Sequence, residues 1–366
     1  MNTIKSFLVL LLAAAFSFTS HGLLTAVTID IPEEKIIAVM NEDISYLIAA
    51  NKVGLQARDS ALISAALLKA GVNGPAREWL DSQPEGTVLA EGECGEYVFV
   101  LRNYIDYSGD RAYLKSTYPK AAKILKSFRA VRGNWDDLFV LRGFNDGEYL
   151  AGLMGDKEGA GEMRKKADSL RKYFSVSVRQ AAERDRSDYT PAIACAATGE
   201  LECMPKELFK DGIDNYFAEF SEGMISVEQR DFGLYELYLA GAYFRLDQRA
   251  RGLAIVRYFA ESPSGRSGRN RMETAHGYID AVTTMFVYDD EGKLILGEGL
   301  APEWFDRGIE VKDLPTPYGK ICYVIKKDGP VIRYFIYGTA KPPKGVRFVL
   351  PKELSGCKIE EMKAKQ

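Results

Sequence analysis

Apolar residues along this chain are gathered into two kinds of helical segment that take turns. One kind is apolar or small nearly all round, as in Arg58-Asp59-Ser60-Ala61-Leu62-Ile63-Ser64-Ala65-Ala66-Leu67-Leu68-Lys69-Ala70-Gly71. A surface helix carries a single apolar stripe, so a segment with no polar face predicts a helix buried on most sides. Cys94 to Tyr107, Trp135 to Gly143, Asp188 to Ala197, Asp231 to Phe244 and Glu273 to Tyr288 repeat the design. The other kind is amphipathic. It covers Ile31-Pro32-Glu33-Glu34 to Ala50, Pro75 to Leu80, Arg111 to Val131, one or two polar helices within 145–184, Pro205 to Phe220 and Gln248 to Ala260. Proline and acids in a first turn, and glycine just past an end, mark helix boundaries in this pattern.

The acids at or beside Asp59, Glu96, Asp136, Asp188, Asp231 and Glu273 recur every roughly 40 to 50 residues, the length of a helical hairpin repeat. An open solenoid and a closed toroid of inner and outer helices both bury such faces. Closure is the expected form, because an inner helix buried on all sides needs neighbours round a full circle. From Leu294 the period changes. Ile309-Glu310-Val311, Ile321 to Ile325, Val331 to Tyr337 and Val346 to Leu350 are short β-branched or aromatic runs, separated by Asp328-Gly329-Pro330 and Lys341-Pro342-Pro343-Lys344-Gly345. The expected fold class is therefore mainly α: an (α/α)6 toroid over residues 31–290, with a small C-terminal antiparallel β module over 291–366.

Residues 1–22 read as a secretory signal peptide: Lys5, then an apolar run from Phe7 to Phe18, then small or polar residues. The run is short for a membrane span. An uncleaved N-terminal anchor extended by Leu23 to Val27 is the other reading, and both place the bulk of the chain outside the cytoplasm. Among 366 residues, 46% are hydrophobic and 27% charged, as expected of a folded globular chain. The net charge of −3, with Lys and Arg scattered, gives no reason to expect a nucleic-acid partner. The basic run within 164–172 reads as a solvated helix face. Two histidines and five cysteines without paired C-x-x-C spacing argue against a zinc site, and no cofactor is expected. Cys195 and Cys203 flank a turn and are close enough in sequence to bridge. The 20 Tyr and 18 Phe offer flat faces for sugars, although core filling accounts for most of them.

The order of pieces resembles the six-hairpin glycosidase superfamily, the (α/α)6 toroids of glucoamylase-like, trehalase-like and rhamnosidase-like enzymes. The resemblance rests on Arg58-Asp59 with Leu67-Leu68-Lys69-Ala70-Gly71, on Tyr107-Ser108-Gly109-Asp110 and on Asn134-Trp135-Asp136-Asp137. It rests also on Leu296 to Trp304 followed by Leu314-Pro315-Thr316-Pro317-Tyr318-Gly319. It implies parallel inner helices whose N-termini converge on one mouth, where such enzymes keep their sugar site. Helix N-termini favour carboxylates and anions there.

Arg58, Asp59, Glu91, Glu93, Glu96, Trp135, Asp136 and Asp137 would line that mouth from the first half of the chain. Asp188, Tyr189, Glu228, Arg230, Asp231, Glu273 and His276 would line it from the second. Glycoside hydrolysis needs one protonated and one ionised carboxyl, about 6.5 to 9.5 Å apart in an inverting enzyme. The assignment from sequence is Glu93 or Glu96 as acid and Glu273 as base, with Asp59 binding hydroxyls, Arg58 holding Asp59, and Trp135 as a stacking platform. Each of these acids could instead be a helix cap, and Trp135 and His276 could be core residues. The expected activity is an extracytoplasmic glycoside hydrolase acting on an oligosaccharide or glycan. The alternatives are an inactive carbohydrate-binding or cell-surface scaffold relative, and a polysaccharide lyase using a Tyr base.

Overall fold

The computed structural model describes residues 27–50, 57–83, 93–127, 137–184, 195–196, 198–200, 206–225, 233–262 and 271–362. Among them the chain is mainly helical. In chain order the helices are α1 (Glu34–Ala50), α2 (Ala57–Lys69), α3 (Gly74–Ser82), α4 (Glu93–Ser108), α5 (Arg111–Ser127), α6 (Asp137–Met154) and α7 (Lys157–Arg184). They continue with α8 (Lys206–Ile225), α9 (Leu234–Arg245), α10 (Arg249–Glu261) and α11 (Arg271–Phe286). None of the described helices is long and apolar enough to cross a membrane.

Five of the six all-round apolar segments form buried helices, α2, α4, α6, α9 and α11, and most of the sixth, 188–197, lies outside the described residues. Ser60 and Ala61 and every residue from Ile63 to Leu68 are buried in α2, and α11 is buried from Thr274 to Phe286 except at Asp280. The third apolar segment runs further than its sequence suggests. Apolar character thins after Gly143, yet α6 continues to Met154, because its later polar residues have partners: Asp146 with Arg142, and Asn145 with Glu200. The turn that stops it is at Gly155, in the left-handed region at φ +73°, with the Asp156 amide on the Ala151 carbonyl at 3.0 Å. Gly71, φ +85°, closes α2 in the same way.

The apolar helices follow one another in the order α9, α11, α2, α4, α6, and α1, α3, α5, α7 and α10 each pack against one or more of them. Several pairs show their direction. Gly233 and Gly241 of α9 lie against Thr274 and Thr284 of α11, and both residue pairs run the same way along the two helices. Lys69 of α2 pairs with Asp280 of α11, and Arg102 of α4 meets Asp146 of α6 at 3.2 Å, while Arg58 and Glu96 join the starts of α2 and α4. α4 and α6 cross with their backbones close together. A methyl on Gly95 would stand 2.1 Å from the Phe139 carbonyl oxygen, and one on Gly143 would stand 2.7 Å from the Gly95 Cα.

The strand region departs from the expected module in two ways. It forms two sheets: a five-stranded one ordered β1-β4-β5-β6-β8 and a three-stranded one ordered β2-β3-β7. The strands are β1 (Thr28–Asp30), β2 (Val287–Asp290), β3 (Lys293–Leu296), β4 (Ile309–Thr316), β5 (Gly319–Asp328), β6 (Val331–Gly338), β7 (Val346–Phe348) and β8 (Lys358–Glu361). Most neighbours are antiparallel, but β3·β7 and β6·β8 are parallel, since each late strand returns past a loop rather than through a tight hairpin. The second departure is β1, which pairs with β4 and so brings the start of the described chain into the C-terminal sheet.

Polar contacts fasten the sheets to the helices. Glu33, just before α1, accepts from Trp304 Nε1 at 2.9 Å and from Arg257 Nε of α10 at 3.0 Å, and Arg257 also reaches Glu303 at 2.6 Å. Trp304 is wholly buried in the same core cluster as the helices. Tyr318, in the β4–β5 turn, donates to Asp289 at 3.0 Å, just past the end of α11.

Candidate functional site

Parallel inner helices bring their first turns together, and with them a set of charged side chains. Arg58 Nε lies 3.5 Å from Glu96 Oε1, with its guanidinium 5.2 Å from the centre of the Phe139 ring. Glu96 is nearly buried, at 2% exposure. On the other side of α2, Asp59 lies within electrostatic reach of Glu273 at the start of α11. Burial and then the Asp59 charge push the Glu273 carboxyl above its ordinary value. The Tyr238 hydroxyl on α9 belongs to the same group: burial and the carboxylates Asp280, Glu273 and Asp59 hold it well above the usual phenol range.

Below these first turns lies a cavity of about 270 Å³. Its upper wall includes Leu62, Phe99 and His276, each three residues after one of the acids Asp59, Glu96 and Glu273. A separation of three along a helix puts side chains on one face, so the acids lie one turn nearer the helix starts than these wall residues, and none of the three is itself among the residues lining the cavity. Its far end is closed by β-module residues Pro315 to Pro317, under the C-terminal ends of the inner helices.

The wall carries a polar network that apolar periodicity conceals. Arg102 bonds Asp106 at 2.5 Å and Asp146 at 3.2 Å, and its guanidinium lies 3.5 Å from the centre of the Tyr149 ring. Arg142 bonds Asp146 at 2.9 Å and donates to the Thr198 carbonyl at 3.1 Å. Burial pushes the Asp106 carboxyl up, against the pull of Arg102 and of the Tyr149 hydroxyl that donates to it at 2.9 Å. Burial likewise pushes Glu200 up, against Arg142 and Asn145. The sequence holds a signal for this network: Arg102/Asp106 and Arg142/Asp146 are Arg-x-x-x-Asp pairs inside otherwise apolar helices. That spacing lets a buried charge find its partner one turn away. Lys69 and Asp280 have no such local signature, because each has its partner on another helix.

Of the residues expected at the mouth, the structure brings Arg58 to Glu96 and sets Asp59 within electrostatic reach of Glu273 at the first turns of their helices, and His276 lines the cavity wall. His276 is 2% exposed and lowered to about 4 by burial, with Asp280 opposing, so it is neutral at pH 7. Glu93 and Asp137 open α4 and α6, but their side chains lie outside the described residues. Glu91, Trp135, Asp136, Asp188, Tyr189, Glu228, Arg230 and Asp231 also lie outside the described residues, as does Cys203. Among the described residues no three His, Cys, Asp or Glu side chains gather as metal ligands.

No family model matches the chain, and no curated protein matches its sequence. A solved structure does. It is similar to an alpha-L-rhamnosidase from Dictyoglumus thermophilum, at a TM-score of 0.57 and 14% identity, over 83% of this chain and 43% of that one. The chain thus spans less than half the length of that enzyme. At this identity the likeness is one of fold: a helical architecture of the kind found in a glycoside hydrolase, with a small sheet region at its C-terminal end.

Proposed function

We propose that this protein is a glycoside hydrolase acting on an oligosaccharide or glycan, with its reacting centre at the starts of α2 and α11. Glu273 supplies the proton to the leaving oxygen, and Asp59 is the carboxylate that activates water. The observation that carries the reading is the pairing itself: a carboxyl raised by burial and by a neighbouring carboxylate, at the helix starts one turn from the wall of a polar cavity. That is the environment which lets two acids take opposite roles. It reverses the role assigned to Glu273 from sequence, since a raised carboxyl holds its proton better than a base should. Arg58 holds Glu96 in place beside them, and inversion at the anomeric carbon is the expected outcome.

The fold likeness to a rhamnosidase supports the reaction class. Closure of the helices into a six-hairpin ring over 31–290, and export by the 1–22 leader, belong to the same proposal. The lyase alternative needs a tyrosine that loses its proton readily. Tyr238, the tyrosine beside the acids, is shifted the opposite way.

Release of free sugar from a panel of aryl-glycosides and natural oligosaccharides tests the proposal. The wild type is expected to turn over at least one of them, and Glu273→Gln to lose about 100-fold or more in kcat/KM. Binding without turnover, unchanged in Glu273→Gln, would identify an inactive carbohydrate-binding relative. An unsaturated, ultraviolet-absorbing product would identify a lyase.

A further inference from the structure

The sixth apolar segment, 188–197, is described only at its end, where Cys195 and Ala196 are helical and the chain turns at Gly199. Gly199 lies in the left-handed region at φ +75°, with its amide on the Ala196 carbonyl at 3.3 Å. Ala196, Thr198 and Gly199 line one side of the cavity. Two polar ties fasten this turn to α6. Arg142 Nη1 donates to the Thr198 carbonyl at 3.1 Å, and Asn145 Nδ2 donates to both carboxylate oxygens of Glu200, each at 2.9 Å.

Glu200 is 8% exposed, yet the group that meets its oxygens is a neutral amide. The charged groups that face it are engaged elsewhere. On α6, Arg142 Nε bonds both oxygens of Asp146, at 3.0 and 2.9 Å, and Asp146 also holds Arg102 of α4 at 3.2 Å. On α7, Arg171 donates to Asn145 Oδ1 at 3.1 Å and pairs with Asp168 at 2.9 Å. Among the described residues, no lysine or arginine forms an ion pair with Glu200.

A buried carboxylate met only by an amide is costly, whereas the neutral acid keeps an oxygen that accepts from Asn145. Burial pushes the Glu200 carboxyl up; Arg142, the Asn145 bond and Arg171 pull the other way, and Asp146 adds to the rise. When the turn leaves α6, Glu200 meets water and recovers the proton affinity of an ordinary carboxylate. The closed turn therefore binds the proton more tightly than the open one, so acid favours closure.

We propose that residues 198–200 form a pH-sensitive strap on the cavity wall, drawn against α6 while Glu200 carries a proton and released as Glu200 ionises. Acid secures the side of the cavity that Thr198 and Gly199 line, and neutral pH loosens it. The strap does not require the protein to be a hydrolase.

Hydrogen–deuterium exchange of the full chain, read in a peptide spanning 195–200 and corrected for the intrinsic effect of pH on exchange, tests this. Protection of the wild-type turn is expected to fall by about tenfold or more from about pH 4.5 to about pH 7.5. The reason is that each pH unit between the closed and open proton affinities changes the opening equilibrium by up to about tenfold. Glu200→Gln cannot ionise and keeps an oxygen for Asn145, so its turn should hold the acid level of protection within about twofold at both pH values. Residues 278–286 of α11 report opening of the whole fold and should change alike in wild type and variant. Wild-type protection that stays flat or rises with pH would overturn the proposal without any variant. So would a fall that survives in Glu200→Gln, or one matched in size by α11, which would be unfolding of the domain. Turnover of a glycan, or its absence, alters none of these readings, so this proposal and the hydrolase reading fail separately.

Discussion

His276 shows at single-residue scale how placement changes chemistry. On an apolar helix in the sequence it reads as a core histidine or as a ligand at the mouth. The structure makes it a cavity-wall residue, buried and held neutral down to about pH 4, where an ordinary histidine protonates near 6.5. Between those values an unfolded chain carries a proton there and the folded chain does not. Acidification through that window therefore favours unfolding, and stability rises again as pH returns above 6.5. The full interval corresponds to about 3 kcal/mol. Raised carboxyls such as Asp106, Glu200 and Glu236 work in the opposite sense, so the contribution must be read as a difference between variants. Unfolding free energies by urea at pH 7 and pH 4.5 should show His276→Gln losing less on acidification than the wild type. Equal losses would mean that His276 is not held neutral.

At the scale of elements, the buried inner helices were readable from sequence because their lack of a polar face is a direct consequence of burial on all sides. Their lengths were less readable. α6 outran its apolar run, since Arg142, Asn145 and Asp146 are satisfied by partners that lie far away in sequence or one turn off. Glycines inside α4 and α6 carry a further requirement that hydrophobic patterning cannot register: two backbones in contact. Alanine is the better helix former by about 1 kcal/mol, but at Gly95 its methyl would collide with the backbone carbonyl of Phe139. Displacing a packed helix costs about 1–3 kcal/mol or more, so Gly95→Ala should lower stability by at least about 1 kcal/mol net. Gly109→Ala has open space around it, but its φ of +72° strains any side chain, so it is no control. Gly152→Ala, within α6 with nothing near its added methyl, is the fitting comparison and should be neutral or slightly stabilising in thermal melts.

For the whole molecule, the sequence announced a change of period near residue 294 but not how the two regions join. Sheet partners lie far apart along the chain, so strand periodicity alone could anticipate neither the pairing of β1 with β4 nor the parallel returns of β7 and β8. Trp304 sits at that junction, wholly buried and bonded to Glu33. Trp304→Ala should cost about 3–5 kcal/mol. Near- and far-ultraviolet melts should stay superimposed, and a sheet transition separating from the helical one would show two independent units. One part of the arrangement was legible: acids at neighbouring helix starts were expected, and Glu96 meets Arg58 while Asp59 lies within electrostatic reach of Glu273. The division of labour was not legible, because it depends on which carboxyls face each other across helices that are far apart in sequence. Carbon-13 NMR titration of the Glu273 carboxyl, in the wild type and in Asp59→Asn, measures that facing directly. A midpoint above 4.5 that falls when Asp59 is neutralised is the expected result. A midpoint at or below 4.5 that ignores the substitution would contradict the coupled pair on which the proposed chemistry stands.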